Sequence, residues 1–164
     1  MSVYLGDICV FKGRPYAVDK TGWTVGFGPE DDSTVRLVAE SLVGGGDIKF
    51  LVESKGDLLL IDVYEHRFDD DRGCVRIDLF KLNAREKKWV KLANLGDTVL
   101  FLGLFWSFSA SALDLCVHKG NCVIIMDNIF TRVRCKSSFL DWDDGRLLPL
   151  SDYPEYFELF CHLR

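Results

Sequence analysis

The chain has 164 residues, 48% of them apolar, 13% aromatic and 27% charged, enough side chain for one domain with its own core. With 20 basic against 25 acidic residues and a net charge of -5, it has no polybasic stripe to follow phosphates and no acidic block to force disorder, which excludes a dedicated nucleic-acid binder. The N-terminus carries neither a basic n-region nor a long apolar h-region, and the longest uncharged run, Thr98 to Leu113, is interrupted by Gly103, Ser107, Ser109 and Ser111, short of the roughly 20 apolar residues of a spanning helix. An intracellular protein of the cytoplasm, the nucleus or both is expected, with no membrane partner. Six cysteines (Cys9, Cys74, Cys116, Cys122, Cys135, Cys161) lie without CxxC spacing and no Asn-x-Ser/Thr acceptor occurs, as suits free thiols in a reducing compartment.

Short strand-like pieces follow one another along the chain. Ile8 to Phe11, Pro15 to Asp19 and Trp23 to Phe27 are separated by Lys12-Gly13-Arg14 and Lys20-Thr21-Gly22, the spacing of tight hairpins in which glycine supplies a positive φ. Val35 to Ala39 closes a first meander after the turn cluster Gly28-Pro29-Glu30-Asp31-Asp32. Ile48 to Glu53 and Leu58 to Val63 flank the turn Ser54-Lys55-Gly56-Asp57, and Val75 to Leu82 and Trp89 to Leu92 complete a second meander. The run from Thr98 reads as buried strands. One helical turn is expected near Ser111 to Cys116, and a terminal helix over Tyr153 to His162.

These pieces repeat. Lys12-Gly13 leads to Tyr16-Ala17-Val18-Asp19, Lys55-Gly56 to Leu59-Leu60-Ile61-Asp62, and Lys119-Gly120 to Ile124-Ile125-Met126-Asp127. A unit of ~40–50 residues is the length of a propeller blade, and stacked four-stranded sheets supply the core that no single sheet has. The expected fold is all-β: three or so four-stranded antiparallel meanders, about residues 8–40, 48–93 and 98–150, as blades of a partial kelch-like β-propeller. A single domain then spans 1–164, with residues 151–164 as a C-terminal tail. Closed propellers have ~4–8 blades, so the chain is expected to be part of a longer one, with apolar blade faces left uncovered.

Little in the sequence points to catalysis. Cys116-Val117-His118 with Cys122 lacks the paired short-spaced ligands of structural zinc and reads as a loop. His66, His118 and His162 stand apart, and no Gly-x-Ser-x-Gly elbow occurs. Gly44-Gly45-Gly46 precedes a strand rather than a helix and lacks a following Lys-Ser/Thr, so it reads as an inter-blade turn and not a phosphate loop. Asp19, Asp62 and Asp127, equivalent in the repeat, either cap turns by accepting amide hydrogens or form a carboxylate ring. Trp23, Trp89, Trp106 and Trp142 are read as inter-blade packing. Two acidic loops remain, Asp69-Asp70-Asp71 with Arg72, and Trp142-Asp143-Asp144. Loops carry most recognition on such scaffolds, so these residues are the candidate partner-binding set, with Arg72 and Trp142 as anchors and a basic patch as their target.

Four segments, Phe11-Lys12-Gly13-Arg14-Pro15-Tyr16-Ala17-Val18-Asp19, Phe50 to Leu59, Lys88-Trp89-Val90-Lys91 through Leu95-Gly96-Asp97 to Gly103, and Gly120-Asn121-Cys122-Val123-Ile124, resemble in order and rough spacing the C-terminal kelch-like domain of a large plant F-box family, long catalogued as a domain of unknown function. The resemblance covers about residues 8 to 150. It implies a non-enzymatic propeller, without catalytic residues, metal or cofactor, that recruits a protein substrate to an SCF-type ubiquitin ligase. In that family an N-terminal F-box docks on a Skp-type adaptor; here Met1 lies just before the first strand, so the adaptor is an expected partner only if an F-box precedes these residues. The alternative is a stand-alone propeller-derived regulator that binds and inhibits a kinase or transcription factor without ubiquitin transfer.

Overall fold

Two-residue turns set the register of the first two sheets. At Lys12-Gly13 the φ angles are 50° and 75°, and at Lys55-Gly56 they are 51° and 80°, the paired left-handed conformation of a type I′ turn, whose twist matches that of the strands it joins. The computed structural model describes residues 5–28, 34–46, 48–64, 76–103, 106–126 and 137–161. In the first sheet β1 (Leu5–Phe11), β2 (Arg14–Asp19), β3 (Thr24–Phe27) and β4 (Val35–Ala39) run in sequence order, all antiparallel. The second repeats the arrangement with β5 (Ile48–Ser54), β6 (Asp57–Tyr64), β7 (Arg76–Asn83) and β8 (Lys88–Leu92). Both are the expected meanders.

These eight strands form one compact unit, and its core lies between the two sheets. Phe11, Tyr16, Val18 and Val38 of the first pack against Leu51, Leu60 and Trp89 of the second. Polar ties reinforce the packing: the Trp89 indole donates to the Gly22 carbonyl at 3.1 Å, and the Asp7 carboxylate accepts the Leu51 amide at 2.8 Å. That amide faces outward from edge strand β5, where an unpaired donor would be open to foreign strands. Burial raises the pKa of Asp7, partly offset by the amides of Leu51 and Ile8. On the opposite face of β1, Ile8 and Val10 stay exposed.

The second unit departs from a plain meander. Its sheet has five strands, β9 (Thr98–Leu102), β10 (Ser107–Ser111), β11 (Cys122–Ile125), β12 (Ser138–Asp141) and β13 (Leu147–Pro149), in the order β10-β9-β11-β12-β13. β9 and β11 pair in parallel. The reason lies in the connection: after β10 comes α1 (Ala112–Leu115), capped by the Ser111 hydroxyl, which accepts the Asp114 amide, and the chain then crosses to the far side of β9. Lys119-Gly120 is thus no hairpin turn. Gly120 presses against the Asp97 backbone, where an added Cβ would lie 2.2 Å from a carbonyl carbon, and Asn121 takes the positive φ of 55°. A 3-10 turn (Leu150–Asp152) leads into α2 (Pro154–Cys161), and Tyr153 just before the helix and Tyr156 on it pack on Phe139 of the sheet, with ring centroids 3.9 and 4.8 Å away. Among the described residues no helix is long and apolar enough to cross a membrane.

Candidate partner-binding surfaces

Of the acidic loops, Asp69, Asp70, Asp71 and Arg72 lie outside the described residues, as do His66, Asp127 and His162. Trp142, Asp143 and Asp144 form most of the β12–β13 hairpin loop, and its geometry is fixed by Asp141 at the end of β12. One oxygen of that carboxylate accepts the Asp143 amide at 3.0 Å, and the other meets Lys119 Nζ at 2.6 Å. Burial would raise the Asp141 pKa, but Lys119 and the loop amides outweigh it and hold the group below its ordinary value. Asp143 and Asp144 are exposed, with Arg146 4.0 Å from Asp144, while Trp142 is half-buried and its amide donates to the Asn121 carbonyl at 3.0 Å. The hairpin therefore offers two outward carboxylates on a pinned backbone.

The repeat aspartates divide their roles. Asp19 caps the β2–β3 turn: its Oδ1 accepts the Thr21 amide at 2.8 Å, the Thr21 hydroxyl at 2.6 Å and the Trp23 amide at 3.1 Å. Asp62 instead lies inside its strand, fully buried, paired with the equally buried Lys49 at 2.7 Å and accepting the Gly46 amide at 3.0 Å. Gly45 and Gly46 pass directly over this pair, where a Cβ on Gly45 would come within 2.9 Å of the Asp62 carboxylate. The glycine run is thus a close-approach segment. The tryptophans also divide: Trp89 packs between the sheets of the first unit, whereas Trp106 is exposed and stacks on Phe108 at 5.5 Å.

Around Cys116 and His118, a groove of about 530 Å³ runs beside Glu155 and Glu158 of α2. The Glu155 carboxylate accepts the His118 amide, and the Tyr156 hydroxyl donates to the Lys119 carbonyl at 2.6 Å. Cys116 is exposed; Cys122 is buried, its thiol pushed up to about 12 by desolvation and then by the Asp141 charge. Among the described residues no group of three or more His, Cys, Asp or Glu side chains is placed to hold a metal ion.

A second cleft, of about 340 Å³, lies in the first unit against Phe11, Lys12, Tyr16, Arg36, Leu82 and Lys87. Its geometry depends on Gly26. Tyr16, Gly26 and Arg36 occupy one row across β2, β3 and β4, and with no side chain at the middle position the Arg36 guanidinium reaches over β3 to donate to the Tyr16 hydroxyl at 3.2 Å. A Cβ on Gly26 would sit 3.1 Å from the Tyr16 ring and 3.4 Å from Arg36 Nε. Sequence reasoning missed this cleft and the Lys49–Asp62 pair. The signals available were a lone lysine in the apolar strand Ile48-Lys49-Phe50-Leu51-Val52 and a glycine in mid-strand.

The KIB1-4 beta-propeller family model matches residues 3–148. Three Arabidopsis thaliana proteins are similar over most of the chain: F-box protein At2g17036, 34% identical over 94% of this chain and 43% of its own length; F-box protein SKIP23, 33% identical over 94% and 44%; and F-box/kelch-repeat protein At1g64840, 30% identical over 70% and 31%. The chain spans less than half the length of these curated relatives. No solved structure matches it. Stacked four-stranded meanders, the blade-length repeat and these matches place one conclusion on the sequence: the chain belongs to the KIB1-4 β-propeller family, the propeller of plant F-box proteins.

Proposed function

We propose that the chain is a non-enzymatic protein-recognition module, the substrate-binding propeller of an SCF-type ubiquitin ligase receptor. The observation that carries the reading is the match of 94% of the chain to proteins named as F-box proteins. The exposed carboxylates of the β12–β13 hairpin support it, since rigid loops on a β scaffold suit recognition. Asp69, Asp70, Asp71 and Arg72, which lie outside the described residues, are proposed from the sequence as further partner-binding residues, and a basic patch on the partner is the complement of such acidic loops. Docking on a Skp-type adaptor is the task of an F-box and rests on sequence upstream of these residues.

The test is immunoprecipitation of the tagged protein, expressed from its native locus with the proteasome blocked. Recovery of a Skp-type adaptor and a cullin together with a protein that accumulates under the block is the expected result. A kinase or transcription factor recovered without adaptor would instead favour a stand-alone inhibitor. Recovery of no protein at all would remove the reading.

A further inference from the structure

The cleft of the first unit carries a charge pattern opposite to that of the acidic hairpin. Lys12 from the β1–β2 turn, Arg36 from β4 and Lys87 from the β7–β8 loop line it together, with no carboxylate among the described lining residues. In a chain of net charge -5, three converging cations run against the composition and create a local field that draws anions. Among the described residues none of the three is ion-paired to a carboxylate; Lys12 lies 5.2 Å from the centre of the Phe11 ring, and Arg36 donates to Tyr16. That contact orients the planar guanidinium, the group whose fork matches a carboxylate with two parallel hydrogen bonds. Phe11 and Leu82 add an apolar wall. About 340 Å³ accommodates a few side chains rather than a folded domain.

We propose that this cleft binds an acidic segment of a partner protein. An Asp or Glu carboxylate takes the Arg36 fork, flanking carboxylates face Lys12 and Lys87, and an adjoining apolar side chain rests on Phe11 and Leu82. The inference rests on the chain being a protein-recognition module and names the chemistry of one thing it recognises, through residues other than those of the acidic loops.

The test is fluorescence anisotropy on the full chain with a short labelled peptide in which Asp and Glu flank a central Phe, against a counterpart with Lys in place of the acids. The acidic peptide is expected to bind and to weaken as salt rises. Arg36→Gln, and the pair Lys12→Gln with Lys87→Gln, each weaken it about tenfold or more, while Lys55→Gln, which alters the same turn position in the other hairpin, leaves binding unchanged. Arg36→Lys restores only part, since charge returns without the fork. Equal binding of the Lys peptide, unchanged affinity in Arg36→Gln, or preference for an oligonucleotide or an anionic vesicle would overturn the proposal. Partners recovered from cells with no binding of the acidic probe would end the cleft assignment alone; probe binding with no protein recovered would end the functional reading instead.

Discussion

Lys49 and Asp62 face each other directly across the β5–β6 register, Nζ 2.7 Å from Oδ1, with both side chains fully buried. Removing one member leaves an uncompensated charge in the interior, so Lys49→Met is expected to destabilise the protein by about 3–5 kcal/mol. The double replacement Lys49→Met with Asp62→Leu lies much nearer the parent, although the Gly46 amide then loses its acceptor, worth about 1–3 kcal/mol. Urea denaturation midpoints of the three proteins check this; a single variant as stable as the parent would sink it.

Glycine substitutions should rank by what a new Cβ meets. At Gly120 it would lie 2.2 Å from the Asp97 carbonyl carbon, and at Gly46 2.6 Å from the Val63 oxygen, both backbone atoms that cannot swing aside. Gly120→Ala and Gly46→Ala are expected to cost about 3 kcal/mol or more through forced overpacking. At Gly56 nothing lies within 4 Å and only the φ of 80° opposes a side chain, so Gly56→Ala costs about 1 kcal/mol. Thermal melts of the three variants read the order.

Two carboxylates give stability opposite pH dependences. The Asp141 pKa is held below 3.8 in the folded protein, so its contribution is present above that value and fades as pH falls through the folded pKa. Lys119→Met should therefore destabilise at neutral pH, by about 0.2–1 kcal/mol for a partly exposed, salt-screened pair, and match the parent in strong acid. Asp7 is raised by burial, so its contribution is complete below 3.8 and is lost as pH rises through the folded pKa. Asp7→Asn keeps an acceptor for the Leu51 amide and removes that loss. Denaturation curves across the acid range separate the two; a Lys119→Met deficit that persists in strong acid counts against the pairing.

Thiol reactivity should follow burial and charge. Desolvation, with the Asp7 and Glu53 charges, pushes Cys9 up to about 11, and Cys122 reaches about 12, leaving roughly one Cys122 in ten thousand as thiolate at pH 8. Cys116 is exposed. Iodoacetamide pulse labelling read by peptide mass spectrometry should modify Cys116 before Cys9, and Cys122 only once the protein unfolds. Early labelling of Cys122 would contradict the packing around β11.

The acidic hairpin makes a binding prediction. Asp143→Ala with Asp144→Ala removes exposed charges whose ion pair, Asp144 with Arg146 at 4.0 Å, is itself exposed and weak, so the fold should be unaffected while association with a recovered basic partner slows several-fold at low salt. Adding alanines at Asp69, Asp70 and Asp71 should deepen the effect. Surface plasmon resonance at two ionic strengths measures it, and unchanged association would exclude these loops as the contact.

Much of the first unit was legible because its turns are written locally. Lys-Gly at two hairpin tips and Gly22 after Asp19 mark the strand ends, and β4 falls on Val35 to Ala39 as the pattern predicts. The third copy misled because the same letters meet different surroundings: Lys119-Gly120 follows a helix, and Gly120 is needed for the approach to Asp97 rather than for a turn. Asp19 and Asp62 diverge similarly. A turn begins after Asp19, whereas β6 continues to Tyr64, so Asp62 has no turn to cap and pairs across the sheet instead. On the candidate surfaces, the hairpin was readable from its local residues. The cationic cleft was not, since Lys12, Arg36 and Lys87 meet only through folding and the vacant position at Gly26.

The parallel pairing of β9 with β11 has a kinetic consequence. Hairpins such as β1–β2 and β5–β6 close over two residues, whereas Val99 meets Cys122 only after β10, α1 and the crossing segment have been traversed. Closing so long a loop spends chain entropy before any contact returns it. The β9–β11 seam should therefore assemble late, after the local hairpins, and in pulsed hydrogen exchange the amides of β11 should gain protection after those of β2 and β6.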